Sequence, residues 1–189
     1  MTAKLIPPSA SPGAPGAQPA DLLAVAARTA LVLETNNLRG GDAAAQALYS
    51  LQRLLGELAQ QSLPPTALAQ WVITHDGLSP EACTQLQSLA GRTIDFVQID
   101  ASTDYYEAKN QGFDTVDATR CTVVVFADAD CRPARDWLAQ LIAPFAEASA
   151  AGTAPPAAVA GRTTYLPGML GAALSAIDFM YFPSPLAAG

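Results

Sequence analysis

The sequence predicts an α/β fold built on a mostly parallel sheet, and two observations carry that prediction. Short apolar runs typical of strands alternate along the chain with longer segments whose apolar residues recur at helical spacing. The strongest run, Thr122–Phe126, is continuous and β-branched, which is typical of a central strand buried on both faces. Alternation of this kind places helices on both faces of the sheet.

Composition and charge narrow the class of protein and its partners. The chain has 189 residues, of which 50% are hydrophobic and 14% charged, so a disordered chain is excluded. The formal net charge of −7 repels phosphate backbones and excludes sequence-independent binding of nucleic acid. A nucleotide ligand remains compatible, because a divalent cation between carboxylates and a diphosphate reverses the local sign of charge.

The first part of the chain is predicted to be a flexible leader over residues 1–20, rich in Pro, Ala, Ser and Gly. One domain is expected over residues 21–189. Its first strand is predicted at Leu31–Leu33, and apolar residues at helical spacing then predict a helix over about residues 42–60. Residues 1–5 lack the features of a signal peptide, so we expect a cytoplasmic location, with attachment to the inner face of the membrane as a second expectation.

The same patterns predict the elements that follow. In order, they are a strand at Trp71–Ile73, a helix from Pro80, a strand at Ile94–Ile99, helical residues within 103–119, the strand Thr122–Phe126, a helix from Pro133 to about residue 148, and a strand near Val159. Ser79 and Pro80 fit an N-cap followed by a proline at the first helical position. The buried stripe of that helix is predicted to be Ala82, Leu86 and Leu89.

Polar residues follow three of the predicted strands at the points where the strands end. They are Glu34–Asn37, His75–Gly77 and the pair Asp128 and Asp130. Ligands of parallel α/β sheets bind beyond the carboxyl ends of the strands. Two carboxylates at i and i+2, separated by the small Ala129, can approach one hard cation. The sequence therefore predicts a magnesium or manganese site at Asp128 and Asp130.

Taken in order along the chain, these clusters resemble the family 2 glycosyltransferases of the GT-A fold. That family shows a Pro-x-Tyr-Asn-like stretch after the first strand, an Asp-Asp-Gly-Ser-like turn after the second, an Arg/Lys-Asn-x-Gly segment, and a strand ending in Asp-x-Asp. The matching segments here, within about residues 30 to 165, are Glu34–Asn37, His75–Leu78, Lys109–Gly112 and Phe126–Asp130. The resemblance implies a GT-A, Rossmann-like sheet with helices on both faces.

The resemblance also implies an activity, a cofactor and a set of contacts. The activity is inverting transfer of a sugar from a nucleotide-diphosphate donor to an unknown acceptor. Asp128 and Asp130 would hold a divalent cation, Mn²⁺ or Mg²⁺, together with the diphosphate. Asp76 would accept a hydrogen bond from the base, and Lys109 would stand near the base or the phosphates. The implied nucleotide-binding set is Glu34, Thr35, Asn36, Asp76, Lys109 and Asp128.

The sequence departs from the family at three of the matched positions. Glu34 and Asn36 replace the family's Pro and Tyr, and His75 replaces the first Asp of its turn, so the base stays open. His75 is the only histidine, and we expect a loop residue rather than a catalytic one.

The family's general base lies well beyond its Asp-x-Asp motif, and no Glu-Asp pair follows Asp130 here. The catalytic residue is therefore unknown, and we expect the chain to lack the acceptor-binding half. The apolar stretch Leu166–Phe182 is too short and too interrupted to span a bilayer. It is expected to lie at a membrane surface or to associate with protein, and the lack of a basic face favours association.

Two other functions stay open at this point. The first is a nucleotide-binding module without transfer activity. The second is a haloacid-dehalogenase-like phosphatase, in which the first Asp of an Asp-x-Asp motif is a nucleophile. That motif usually ends the first strand of such phosphatases, whereas three predicted strands precede Asp128 here. The sequence therefore favours the transferase over the phosphatase.

Overall fold

The computed structural model describes residues 19–35 and 43–161. Residues 1–18 of the predicted leader, Asn36 and the apolar stretch Leu166–Phe182 lie outside them. The helices and strands are α1 (Pro19–Ala26), β1 (Thr29–Glu34), α2 (Ala43–Leu58), β2 (Gln70–His75), α3 (Pro80–Ala90), β3 (Asp95–Gln98), α4 (Tyr105–Asp114), β4 (Val123–Asp128) and α5 (Trp137–Ala151). A short 3₁₀ turn, Pro65–Ala67, precedes β2.

The four strands form one sheet in the order β3-β2-β1-β4, and all neighbouring pairs are parallel. Strands β2 and β3 follow β1 on one side, and β4 pairs with β1 on the other. The strand order therefore reverses between β1 and β4. The predicted α/β fold with a parallel sheet is confirmed.

Helices cover both faces of the sheet, and the alternation of side chains along the strands shows which face each helix covers. Odd-numbered strand residues such as Leu31 and Ile73 belong to the main core, together with residues of α2, α3 and α5. Even-numbered residues lie on the other face, where Gly112 of α4 approaches Val32 and Thr74. The predicted placement of helices on both faces is thus confirmed.

Local sequence signals account for the ends of α3. The Ser79 hydroxyl accepts a hydrogen bond from the Ala82 amide at 3.2 Å, and Pro80 occupies the first turn. Gly91 ends the helix with φ of 65°, a left-handed conformation that glycine adopts without strain. The predicted buried stripe is correct for Ala82 and Leu86 but wrong for Leu89, which is 48% exposed.

Three further expectations need correction. Within the described sheet, the strand predicted to be central, β4, lies at the edge, and Phe126 is 42% exposed. The two inner strands, β1 and β2, are the fully buried ones. Val159 lies in irregular structure rather than in a strand. Helix α1 was not predicted, and it begins at Pro19, within the segment predicted to be a flexible leader.

None of the helices within residues 19–35 and 43–161 is long and apolar enough to cross a membrane.

Candidate functional site

The ends of β1 and β4 bring two of the predicted site residues side by side. Glu34 and Asp128 are direct partners in the parallel register, and the Ala129 amide donates a hydrogen bond to the Glu34 carbonyl at 3.0 Å. The strand order reverses between these two strands. Parallel α/β sheets bind their ligands in the crevice beyond the carboxyl ends of the strands at such a reversal. The region beyond the ends of β1 and β4 is called the crevice.

Helix α4 lies unusually close to the sheet because it carries Gly112. A Cβ atom at this position would stand 2.7 Å from the Val32 Cγ1 atom and 3.0 Å from the Thr74 Cγ2 atom. One turn before Gly112, Ala108 is fully buried. Lys109 lies three residues before Gly112, and Tyr105 lies four residues before Lys109, so helical periodicity carries both toward the strand ends.

The side chains of Tyr105 and Lys109 meet the Asp128 carboxylate. The Lys109 Nζ atom lies 2.8 Å from the Asp128 Oδ1 atom. The Tyr105 hydroxyl donates to the same carboxylate, at 3.0 Å from Oδ2, and accepts a hydrogen bond from Lys109 at 2.5 Å. The Lys109 ammonium also lies 4.3 Å from the centre of the Tyr105 ring, within cation–π range. These three residues form a closed, charge-neutralising network.

The environment changes the pKa values of the two helix residues. Burial alone would lower the pKa of Lys109, but its hydrogen bonds and charge interaction with Asp128 outweigh burial, so that pKa is raised. Burial raises the pKa of Tyr105. At neutral pH these two residues therefore supply an ammonium and a neutral phenol.

The predicted cation ligands lie close together beyond β4. Ligand atoms of Asp128, Asp130 and Cys131 all lie within 4.8 Å of one another. Asp128 is half-buried and Asp130 is exposed. Two carboxylates suit a hard cation such as Mg²⁺ or Mn²⁺, whereas a thiol is a soft ligand. Burial raises the pKa of Cys131, which keeps the thiol protonated. The donor set fits a hard cation held by the two carboxylates.

Helix α2 fixes the loop that carries Asp130. Arg53 donates to the Asp130 carbonyl at 2.8 Å, and Glu57 pairs with Arg132 at 3.3 Å. One turn further on, Gln61 donates to the Ala134 carbonyl at 2.7 Å and accepts from the Leu138 amide at 3.0 Å. The three anchoring residues recur every four positions, so one stripe along α2 and the residues just beyond it holds the loop.

The remaining predicted residues occupy the ends of β1 and β2. Thr35 is buried, and its hydroxyl donates to the Thr74 carbonyl at 2.8 Å, which joins the two strand ends. Glu34 is also buried. Asp76 is half-buried just beyond β2, and its strand lies two positions from β4, a separation of about 10 Å at usual strand spacing. Asn36 lies outside the described residues.

His75 makes structural contacts, and it is the last residue of β2 rather than the loop residue that the sequence led us to expect. It is 5% exposed, its Nδ1 atom accepts a hydrogen bond from the Leu78 amide at 3.1 Å, and its ring meets Phe96 edge-on. Burial lowers its pKa, while the nearby charge of Asp76 raises it less. A neutral imidazole therefore closes the turn that presents Asp76.

Sequence reasoning missed Tyr105 and Arg53. The spacing of four residues puts Tyr105 on the same face as Lys109, on a helix whose N-cap, Asp104, accepts from the Glu107 amide, but spacing does not show that this face reaches Asp128. No comparable signal marks Arg53, because its contact with the Asp130 carbonyl spans 77 residues of sequence.

No protein-family model and no curated protein matches the chain. Among solved structures, it is similar to the crystal structure of S. aureus TarS 1-349, at 17% identity and a TM-score of 0.49. The similarity covers 65% of this chain and 33% of that one, so the chain spans a third of the TarS structure.

Proposed function

We propose that the chain binds a nucleoside-diphosphate sugar with Mn²⁺ or Mg²⁺, as the donor-binding part of an inverting glycosyltransferase similar to family 2. One observation carries the proposal. Asp128 lies at the point where the strand order reverses, with a second carboxylate two residues on and a cationic side chain beside it. Carboxylates for a metal and an ammonium for phosphate are the groups that recognise a metal-bound diphosphate.

Each residue then has a defined role. Asp128 and Asp130 hold the cation, which when bound would neutralise the diphosphate and stabilise the leaving nucleotide. Lys109 contacts the phosphates. Asp76, about 10 Å away across the sheet edge, accepts a hydrogen bond from the base. Glu34 and Thr35 form the floor between these two ends of the site.

The proposal is tested by thermal-shift measurements with a panel of nucleoside diphosphates and their sugars, each with and without Mn²⁺ or Mg²⁺. A ligand present at a hundred times its Kd stabilises the native state by about 2.7 kcal/mol. We expect the metal and one nucleotide together to give a far larger shift than either alone. This screen also identifies the base.

Matched variants separate the metal site from general loss of charge. Asp130→Ala should abolish the metal-dependent part of the shift and leave the fold intact. Asp114→Ala, which removes an exposed carboxylate at the end of α4, should leave the shift unchanged. A full shift in Asp130→Ala would remove Asp130 from the site.

The same preparation distinguishes the two other functions. Hydrolysis of p-nitrophenyl phosphate that depends on Asp128 would indicate the phosphatase. Metal-dependent nucleotide binding without transfer to any of a panel of acceptors would indicate a binding module. Transfer of a radiolabelled sugar from the nucleotide found in the screen supports the glycosyltransferase.

A further inference from the structure

The Asp128 carboxylate already has cationic and hydrogen-bonding partners within the protein. Lys109 and Tyr105 contact it at 2.8 and 3.0 Å, and both come from α4. The sequence contains only two lysines, Lys4 and Lys109, so the single lysine of the described residues is committed to this carboxylate. The pair is half-buried, with 23% and 27% of the two side chains exposed.

A divalent cation bound to Asp128 would meet the Lys109 ammonium at close range. Like charges a few ångströms apart repel strongly where the solvent is partly excluded. Lys109 and the cation therefore compete for the same carboxylate. The ammonium can leave Asp128 and keep other contacts. The lysine side chain is long and flexible, and the ammonium also contacts the Tyr105 hydroxyl and ring.

We propose that Lys109 is an internal counter-ion of Asp128 that moves to the diphosphate when Asp128 binds the divalent cation. This rests on the donor-binding function proposed above. Without nucleotide, Lys109 weakens cation binding. With nucleotide, the displaced ammonium gains a phosphate partner, so metal and nucleotide each tighten the binding of the other. Tyr105 is the positioning residue that keeps the ammonium close to both places.

The test is calorimetric titration of Mn²⁺ into the wild type and Lys109→Met, without nucleotide and with saturating UDP or GDP. Methionine keeps the unbranched stem and removes the charge. Without nucleotide, Lys109→Met should bind Mn²⁺ more tightly by up to about fivefold, the upper end of the range expected for loss of a partly exposed ion pair. The factor by which the nucleotide tightens Mn²⁺ binding should fall about tenfold.

Two control variants make the result specific. Arg120→Met removes one positive charge just before β4, at the end of that strand opposite to Asp128. It should leave both Mn²⁺ affinities unchanged. Tyr105→Phe keeps the ring under the ammonium but removes the hydroxyl, so it should reduce the coupling while changing nucleotide-free affinity less than Lys109→Met does.

The outcomes separate this inference from the function on which it rests. Weaker or unchanged nucleotide-free Mn²⁺ binding in Lys109→Met would overturn the counter-ion role, because a purely structural lysine gives that result. Nucleotide binding by the wild type without any metal would overturn the exchange while sparing the nucleotide site. No binding of either by the wild type would overturn both proposals.

A measurement on the unmutated site covers the case in which Lys109→Met does not fold. Reductive ¹³C-methylation preserves lysine charge and labels Lys4, Lys109 and the α-amino group, and Lys4→Arg assigns the signals. Mg²⁺ should shift the Lys109 methyl signal, and added GDP or UDP should shift it further. A Lys109 signal that ignores Mg²⁺ at concentrations that saturate the site would contradict the exchange.

Discussion

Among single residues, charge and hydrogen bonding decide what each titratable side chain at the strand ends can do. Asp128 is paired with Lys109, and Asp130 lies exposed beside it. His75 is neutral and structural, with its Nδ1 atom used by the Leu78 amide. The titratable groups of the crevice thus divide into those available to a ligand and those that hold its walls.

The role of His75 predicts how stability depends on pH. Its folded pKa is below the usual value of 6.5, so the unfolded chain binds its proton first as the pH falls. The stabilisation from neutral His75 is complete above about pH 6.5 and is lost as the pH falls from there through the folded pKa. Urea denaturation between pH 8 and 5.5 should show this loss.

The matched variant for this measurement is His75→Asn. Asparagine offers an amide oxygen to the Leu78 amide but does not titrate, and His75 is the only histidine in the sequence. The free energy of unfolding of His75→Asn should vary less between pH 7.5 and 6 than that of the wild type. Equal pH dependence in the two proteins would show that His75 is not the group responsible.

The sequence identified the carboxylates of the site but not all their partners. Asp128 and Asp130 were predicted because they directly follow a strong strand pattern, which is a local signal. Tyr105 was not, because its importance depends on how close α4 packs to the sheet. Its contact with Asp128 spans 23 residues of sequence and cannot be inferred from helical spacing alone.

Among the elements, the position of α4 depends on the absence of a side chain at Gly112. In Gly112→Ala the new Cβ atom would lie 2.7 Å from Val32 Cγ1, and valine is stiff in a buried strand. Overpacking costs about 1–3 kcal/mol, which exceeds the gain in helix propensity of about 1 kcal/mol. We expect net destabilisation in urea, together with weaker nucleotide binding because Lys109 moves away from Asp128.

Gly56 in α2 provides the control for this substitution. An added Cβ there meets no atom within 4 Å, so Gly56→Ala should gain only the helix propensity, about 0.5–1 kcal/mol. The two alanine variants should therefore change stability in opposite directions. A Gly112→Ala protein as stable as Gly56→Ala would show that α4 does not need its close approach.

The strands show what a local pattern cannot establish. The apolar run in β4 predicted a central strand, yet β4 lies at the edge of the described sheet, while the shorter run of β1 belongs to an inner strand. Strand order depends on which side each crossover connection takes, and that information is not local. Leu89 was likewise assigned to the buried face of α3 from spacing, although the face near its end is exposed.

In the molecule as a whole, the strand order decides which predicted site residues lie near one another. The order β3-β2-β1-β4 places its reversal beside Asp128 and puts Asp76 at the same end of the sheet, two strands away. The sequence predicted a parallel sheet with ligands beyond its strand ends. The strand order adds that the ends of β1 and β4 are the ones to consider. The net charge of −7 adds a requirement, since an anionic diphosphate must be accompanied by positive charge.

The central claim is that a metal-bound nucleoside diphosphate occupies the crevice between β1 and β4. Its most direct test is a crystal structure with Mn²⁺ and the nucleotide selected by thermal shift, using anomalous diffraction at the manganese edge. We predict an anomalous peak at the Asp128 and Asp130 carboxylates, with the diphosphate on its open side and the base toward Asp76. Nucleotide bound elsewhere on the molecule, or bound in the crevice with no manganese at Asp128 and Asp130, would contradict the account.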